Sequence, residues 1–159
     1  MQQPVAIVVA DSARARLFTF KREDDRGAAP VLRERADLVS PERRMRAGDV
    51  FSETRPSLAN NPSGHGNTID DHRNAHVDET DRRFAHQVIE RAAALCSETA
   101  CTRVALVAGP RFLGHLREHL PMLRGVPVDE VARDLTHEAA PKLRDHLASL
   151  GVIPAAPPR

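Results

Sequence analysis

Two six-residue runs constrain this chain more than any other feature. Val5-Ala-Ile-Val-Val-Ala10 is apolar throughout, and Arg103-Val-Ala-Leu-Val-Ala108 is apolar after its first residue. Neither alternates with polar residues. A strand with one wet face has to alternate, because successive side chains point to opposite sides. An unbroken apolar run therefore suits a strand buried on both faces, in a sheet covered by helices on either side. The segment after the first run does alternate: Arg14, Arg16, Phe18 and Phe20 fall on one face, with Ala15, Leu17 and Thr19 on the other. Only Asp11-Ser12-Ala13 separates it from the first run, so the two strands form an antiparallel hairpin. Val31 to Val39 reads as a third strand with a polar middle, which suits a sheet edge. Val126 to Ala132 reads as a fifth strand, after the buried fourth at Arg103 to Ala108.

The helices follow from period and punctuation. Phe84, Val88, Ala92 and Leu95 make one stripe of a helix over Val77 to Ser97, with Ala85 and Ile89 beside it. Asp78, Glu79 and Asp81 enrich its expected first turn, where the helix dipole favours negative charge. Gly109-Pro110 opens a second helix, with Pro at the first helical position. That helix carries Phe112, Leu113, Leu116 and Leu120 inward, and Pro121 interrupts it. A last helix over Pro141 to Leu150 has Leu143, Leu147 and Leu150 on its stripe, and residues 151–159 read as a disordered tail. Ser40 to His76 has no helical or strand period and holds three prolines and four asparagines. A stretch that long without structure is functional or disordered as a rule, so residues 40–76 are expected to form a long flexible loop, weakly protected in hydrogen exchange.

The order is thus β-β-β-loop-α-β-α-β-α within a single domain over residues 1–150. Right-handed crossovers place strands four and five beside strand one. The expected fold is α/β: a mixed five-stranded sheet of order 3-2-1-4-5 with helices on its faces, the ribonuclease H-like layout. At 159 residues such a domain buries enough surface to fold without a disulfide or metal. Cys96 and Cys101 read as small buried residues rather than ligands. No apolar run reaches the length of a membrane span and no signal-like leader is visible, so the chain is expected in the cytoplasm, with no membrane insertion.

Charge and aromatic content limit the partners. The formal net charge is +1, with 23 basic against 22 acidic residues, so the chain as a whole lacks a nucleic-acid footprint. Only Lys21 and Lys142 are lysines; the other cations are arginines, suited to forked recognition of phosphate or carboxylate. There is no Trp or Tyr, and Phe51 is the one phenylalanine outside an apolar face, so base stacking has little to work with.

In a sheet of this order, strands one, three, four and five end at one edge. Ligands of open α/β sheets bind at the carboxyl ends, where neighbouring connections leave in opposite directions; here that point lies between strands one and four. The candidate binding edge is therefore Asp11, Ser12, Arg14 and Arg16 from the hairpin, Gly109, Pro110 and Arg111 after strand four, and Asp134 after strand five. Arg111 stands at a helix N-terminus, which favours an anion. Local chemistry explains several of these equally well: Asp11 can brace the turn, Pro110 can start the helix, and Asp134 can cap the segment before Thr136. A nuclease would need three or four convergent carboxylates; Asp81 and Glu90 of the first helix are not expected to reach this edge. His115-Leu-Arg-Glu118-His119 matches the H-x-x-E-H zinc pattern, but both histidines are expected on the solvent flank of their helix. No metal, cofactor or catalytic residue is expected.

Four segments carry a resemblance: Val8-Val-Ala-Asp-Ser-Ala-Arg-Ala-Arg-Leu-Phe18, Arg83-Phe-Ala85, Val107-Ala-Gly-Pro-Arg-Phe-Leu-Gly-His-Leu-Arg117 and Asp134-Leu-Thr136. Together they resemble the bacterial host-attachment protein family, named for proteins required for attachment to host cells. The resemblance implies kinship with the central domain of eukaryotic and archaeal peptide-chain release factors, itself ribonuclease H-like. Those factors use a Gly-Gly-Gln motif between the third strand and the first helix. This chain offers only Gly64-His65-Gly66 there, which implies no peptidyl-tRNA hydrolysis. The expected function is a non-catalytic interaction protein with a protein partner, acting indirectly in attachment. The alternative is a translation-associated factor docking on the ribosome, a tRNA or another RNA.

Overall fold

The computed structural model describes the backbone of residues 3–21, 30–43 and 66–156, with side chains over the same spans except 66–74. It contains one five-stranded sheet of order β3-β2-β1-β4-β5. The strands are β1 (Val5–Ala10), β2 (Arg14–Lys21), β3 (Val31–Val39), β4 (Arg103–Ala108) and β5 (Val128–Ala132). The helices are α1 (Gly66–Thr99), α2 (Pro110–Arg117) and α3 (Ala140–Ser149), with a 3-10 turn at Leu120–Leu123. β2 runs antiparallel to β1 and β3, while β4 lies parallel to β1 and β5. The α/β class and the strand order match the expectation.

The two unbroken runs are the two central neighbours, joined in register from Val5 opposite Arg103 to Ala10 opposite Ala108. Their alternate residues serve two separate cores. Ala6, Val8, Val104 and Leu106 pack with Leu17 under α1 and α2. Ile7, Val9, Ala105 and Val107 pack with Phe18 and Phe20 under α3. Arg103 apart, each strand is apolar at every position because each of its faces is roofed. β3, at the edge, is exposed at most of its polar positions, and Arg35 forms a bulge opposite the Leu17–Phe18 step. Its guanidinium donates to the Thr19 hydroxyl at 2.9 Å.

Three boundaries differ from the expectation. α1 begins at Gly66 rather than Val77, so the segment read as the end of the loop is helix, and Asp78, Glu79 and Asp81 lie mid-helix rather than in a first turn. Residues 41–43 also form a helical turn, clipped to α1 by Thr80, whose hydroxyl lies 2.8 Å from Glu42 Oε2, and by Arg43 on Asp81. Residues 44–65, including Phe51 and His65, lie outside the described residues. At the other end, Gly151 takes a positive φ of 76°, a conformation that suits glycine. Gly151 N–H donates to the Ala148 carbonyl and Val152 N–H to the Leu147 carbonyl, closing α3 with a Schellman turn. That turn folds the chain back and buries Ile153 in the second core, so the order extends past Leu150, where the tail was expected to start.

α1 ends in the same motif. Ala100 is left-handed at φ 53°, and Cys101 N–H donates to the Cys96 carbonyl at 3.2 Å. The apolar contact that usually accompanies this turn falls on Cys96 and Cys101, both free and buried. The Thr99 hydroxyl donates to the Leu95 carbonyl at 2.6 Å, which leaves the Cys101 thiol to donate to Thr99 Oγ1 at 2.9 Å. Burial, with Cys101 alongside, pushes the Cys96 thiol up to about 11. The unfolded thiol releases its proton near 9.0, while the folded one holds it to about 11. Its contribution to stability is therefore complete below about pH 9 and is lost as pH rises through about 11. Wild-type stability is expected to fall over that window more steeply than that of Cys96→Ala, as read by urea denaturation at stepped pH. Parallel curves would show that Cys96 ionises as freely in the folded protein as in the unfolded one.

Candidate functional site

The carboxyl ends of β1, β3, β4 and β5 converge as expected, and a cavity of about 270 Å³ opens there. Asp11, Ser12, Gly109, Pro110, Arg111 and Asp134 line it, so six of the eight candidate residues are brought together. Arg43, Asp81 and Phe112 complete the lining. Arg14 and Arg16 stand apart from it on β2.

Asp11 is fixed by the hairpin it ends. Its Oδ1 accepts from the backbone N–H groups of Ala13 at 2.8 Å and Arg14 at 2.7 Å, the Asx-type brace of a tight turn. Its Oδ2 lies 3.0 Å from the Thr136 hydroxyl. Asp134 Oδ1 lies 2.5 Å from the same hydroxyl and 3.3 Å from the Thr136 N–H. Thr136 is fully buried, and its single hydroxyl proton serves two carboxylates. This contact ties the end of β1 to the end of β5 across 125 residues of chain. Pro110 starts α2, and Leu113 N–H donates to the Gly109 carbonyl at 2.9 Å.

Each arginine of the candidate edge is paired within the chain. Arg16 is buried; its Nε donates to Glu34 at 2.9 Å and its Nη1 to the Glu138 carbonyl at 2.7 Å. Its guanidinium also lies 5.1 Å above the Phe18 ring. Arg14 Nε donates to Asp37 at 2.8 Å, and that hydrogen bond holds the Asp37 carboxyl below its usual range. Arg111 Nη2 donates to Asp78 at 2.6 Å, and the bond lowers Asp78 in the same way. None of the three projects as a free cation.

Two expectations about side-chain direction are corrected. Asp81 does reach this edge: it is buried on the cavity wall and paired with Arg43 at 3.1 Å. Because α1 starts upstream, Asp81 lies well inside the helix, on the face that also presents Phe84, Ala85 and Val88 to the sheet. Asp81 lies three residues before Phe84, one helical step along the apolar stripe, and that spacing is the signal the sequence holds for it. His115 is likewise buried, not on a solvent flank. Its neighbours in the H-x-x-E-H pattern diverge: Glu118 pairs with Arg82 at 3.4 Å, and His119 packs edge-on to His86 with ring centroids 5.2 Å apart. The pattern therefore does not assemble as a unit.

A family model described as "Protein required for attachment to host cells" matches residues 6–147, nearly the whole chain and every strand of the sheet. The chain belongs to that family. No curated protein matches the sequence significantly. The matched span contains all eight candidate-edge residues, from Asp11 to Asp134. The described residues include no helix long and apolar enough to cross a membrane.

A second, larger hollow of about 510 Å³ lies towards the amino ends of the parallel strands, between α1 and the 3-10 turn. Cys96, Cys101, Met122, Leu123 and Val126 are among the residues that line it. Glu90 and Arg124 are its charged lining residues; the carboxyl-edge cavity, where six of the eight candidate residues meet, remains the candidate site.

Proposed function

We propose that this chain is a non-catalytic interaction protein that acts in the cytoplasm and contributes to host-cell attachment indirectly. The observation that carries the reading is the state of the charged groups at the carboxyl edge. Arg16 bonds Glu34 and the Glu138 carbonyl, Arg111 bonds Asp78, and Asp11 and Asp134 converge on Thr136. A general acid, base or nucleophile has to be within reach of a substrate atom and free to exchange a proton. Here these groups hold turns and strand ends in place.

The competing reading is a translation-associated factor that docks on the ribosome or a tRNA without hydrolysing peptidyl-tRNA. It requires arginines available to phosphates, because phosphate contacts dominate such affinity. Arg16 is buried and bonded within the fold, and Arg14 and Arg111, though exposed, are each paired with a carboxylate of the same chain, which favours a protein partner instead.

Disruption of the gene is expected to reduce attachment of the bacterium to host cells, and the gene supplied in trans is expected to restore it. Purified protein added outside the cells is expected to leave the defect unchanged, and fractionation is expected to find the protein in the cytosol. Restoration by added protein, or recovery of the chain at the cell surface, would contradict an indirect role.

A further inference from the structure

We propose that Asp78, Asp81 and His115 form a binding site for one divalent transition-metal ion, with zinc favoured, between α1 and α2. One ligating atom from each residue lies within 4.8 Å of the other two. Asp78 and Asp81 are three residues apart on α1 and so share a helical face; His115 comes from α2. Two carboxylates alone would be an ordinary acidic face. The independent observation is His115 itself. It is 9% exposed, and its Nε2 is buried with no hydrogen-bond partner among the described residues. That atom lies 3.9 Å from Asp78 Oδ1, too far for a hydrogen bond, within the cluster formed with Asp81. A buried ring nitrogen without a partner is costly, and a metal ion bound at this position supplies one.

The donor set selects the ion. Imidazole with two carboxylates suits zinc and its first-row neighbours, whereas magnesium and calcium prefer oxygen alone. Ligands at about 2.0–2.2 Å from tetrahedral zinc stand about 3.3 Å apart, so the cluster closes by a small rotation of Asp78, which is half-buried. The arginines already present do not exclude the ion. Arg111 contacts only Oδ1 of Asp78. Arg43 contacts Asp81 at 3.1–3.3 Å, long for a charge-assisted bond. Each carboxylate oxygen also has a second lone pair. Water from solvent would complete the coordination. Asp81 also lines the carboxyl-edge cavity, so the ion would fix that wall by pinning α1 to α2. The site does not depend on the interaction reading and would bind metal whether or not a protein partner exists.

Titration of the metal-free full chain with zinc chloride in a calorimeter tests the site, with cobalt absorption as a second readout. One equivalent is expected to bind, to raise the melting temperature, and to resist competition by millimolar magnesium. Asp78→Asn and His115→Ala are each expected to weaken binding at least about tenfold. His86→Ala, on the neighbouring histidine pair, is expected to bind as wild type. Asp78→Asn alters a half-exposed position, so it remains informative if His115→Ala loosens the helix. No saturable one-to-one binding, or wild-type binding in Asp78→Asn and His115→Ala alike, would overturn the proposal; the second result would place the zinc on other surface histidines.

Discussion

Arg16→Ala is expected to lower the unfolding free energy by about 1–3 kcal/mol, the range for leaving buried hydrogen-bond acceptors without their donor. Arg16 is 7% exposed. Its guanidinium joins three parts of the fold: β2 that carries it, β3 through Glu34, and the segment after β5 through the Thr136 and Glu138 carbonyls. Alanine would leave those carbonyls short of a donor and Glu34 without its cation. It would also remove the guanidinium that lies over the Phe18 ring. In urea the midpoint should drop with little change in slope. Arg14→Ala makes the comparison. Its partner Asp37 and Arg14 itself are both more than a third exposed, so the loss should stay below about 1 kcal/mol. Equal, small effects at the two positions would mean that Arg16 is a surface cation, and the argument against a phosphate-binding edge would lose its main support.

Leu106→Ala is expected to cost about 3–5 kcal/mol. Leu106 is fully buried on β4, directly opposite Val8 of β1, on the face that α1 and α2 cover. Hydrogen-bonded strands flank it on both sides, so the backbone cannot close around the missing atoms and most of the cavity would persist. Val107→Ala, on the opposite face under α3, removes less side chain and should cost less. Chemical denaturation of the two variants measures both. A Leu106→Ala loss below about 1.5 kcal/mol would show that α1 does not seal this face.

Much of the fold can be read from the chain because each central strand announces its surroundings. Val5 to Ala10 is apolar at both parities, and both faces prove to be covered. The polar middle of Val31 to Val39 marks an edge strand, and β3 is one. The start of α1 is not legible, since residues 66–76 have no apolar stripe to mark them as helix. The end of α3 is hidden for a different reason: Gly151 reads as the start of a tail, whereas its positive φ reverses the chain and buries Ile153. At the site, Asp11, Pro110 and Asp134 are legible because turns and helix starts have local chemistry. Arg16 is not, since its partners Glu34, Thr136 and Glu138 come from distant stretches of chain. Asp81 is recorded by its step from Phe84 but reads as first-turn charge until α1 is seen to start at Gly66; His115 escapes a sequence reading because its burial is decided by how α1 and α2 meet.

The central claim is that the arginines of the carboxyl edge serve the fold and not a nucleic acid. Co-sedimentation of the protein with ribosomes at low and at high salt tests it most directly, with Arg111→Ala run alongside because its side chain is 67% exposed. No ribosome-bound fraction above background is expected at either salt, for wild type and variant alike. A bound fraction that falls steeply with salt, and falls further in Arg111→Ala, would contradict it, because an arginine that neutralises a phosphate adds about one unit to the salt slope, and its removal takes that unit away.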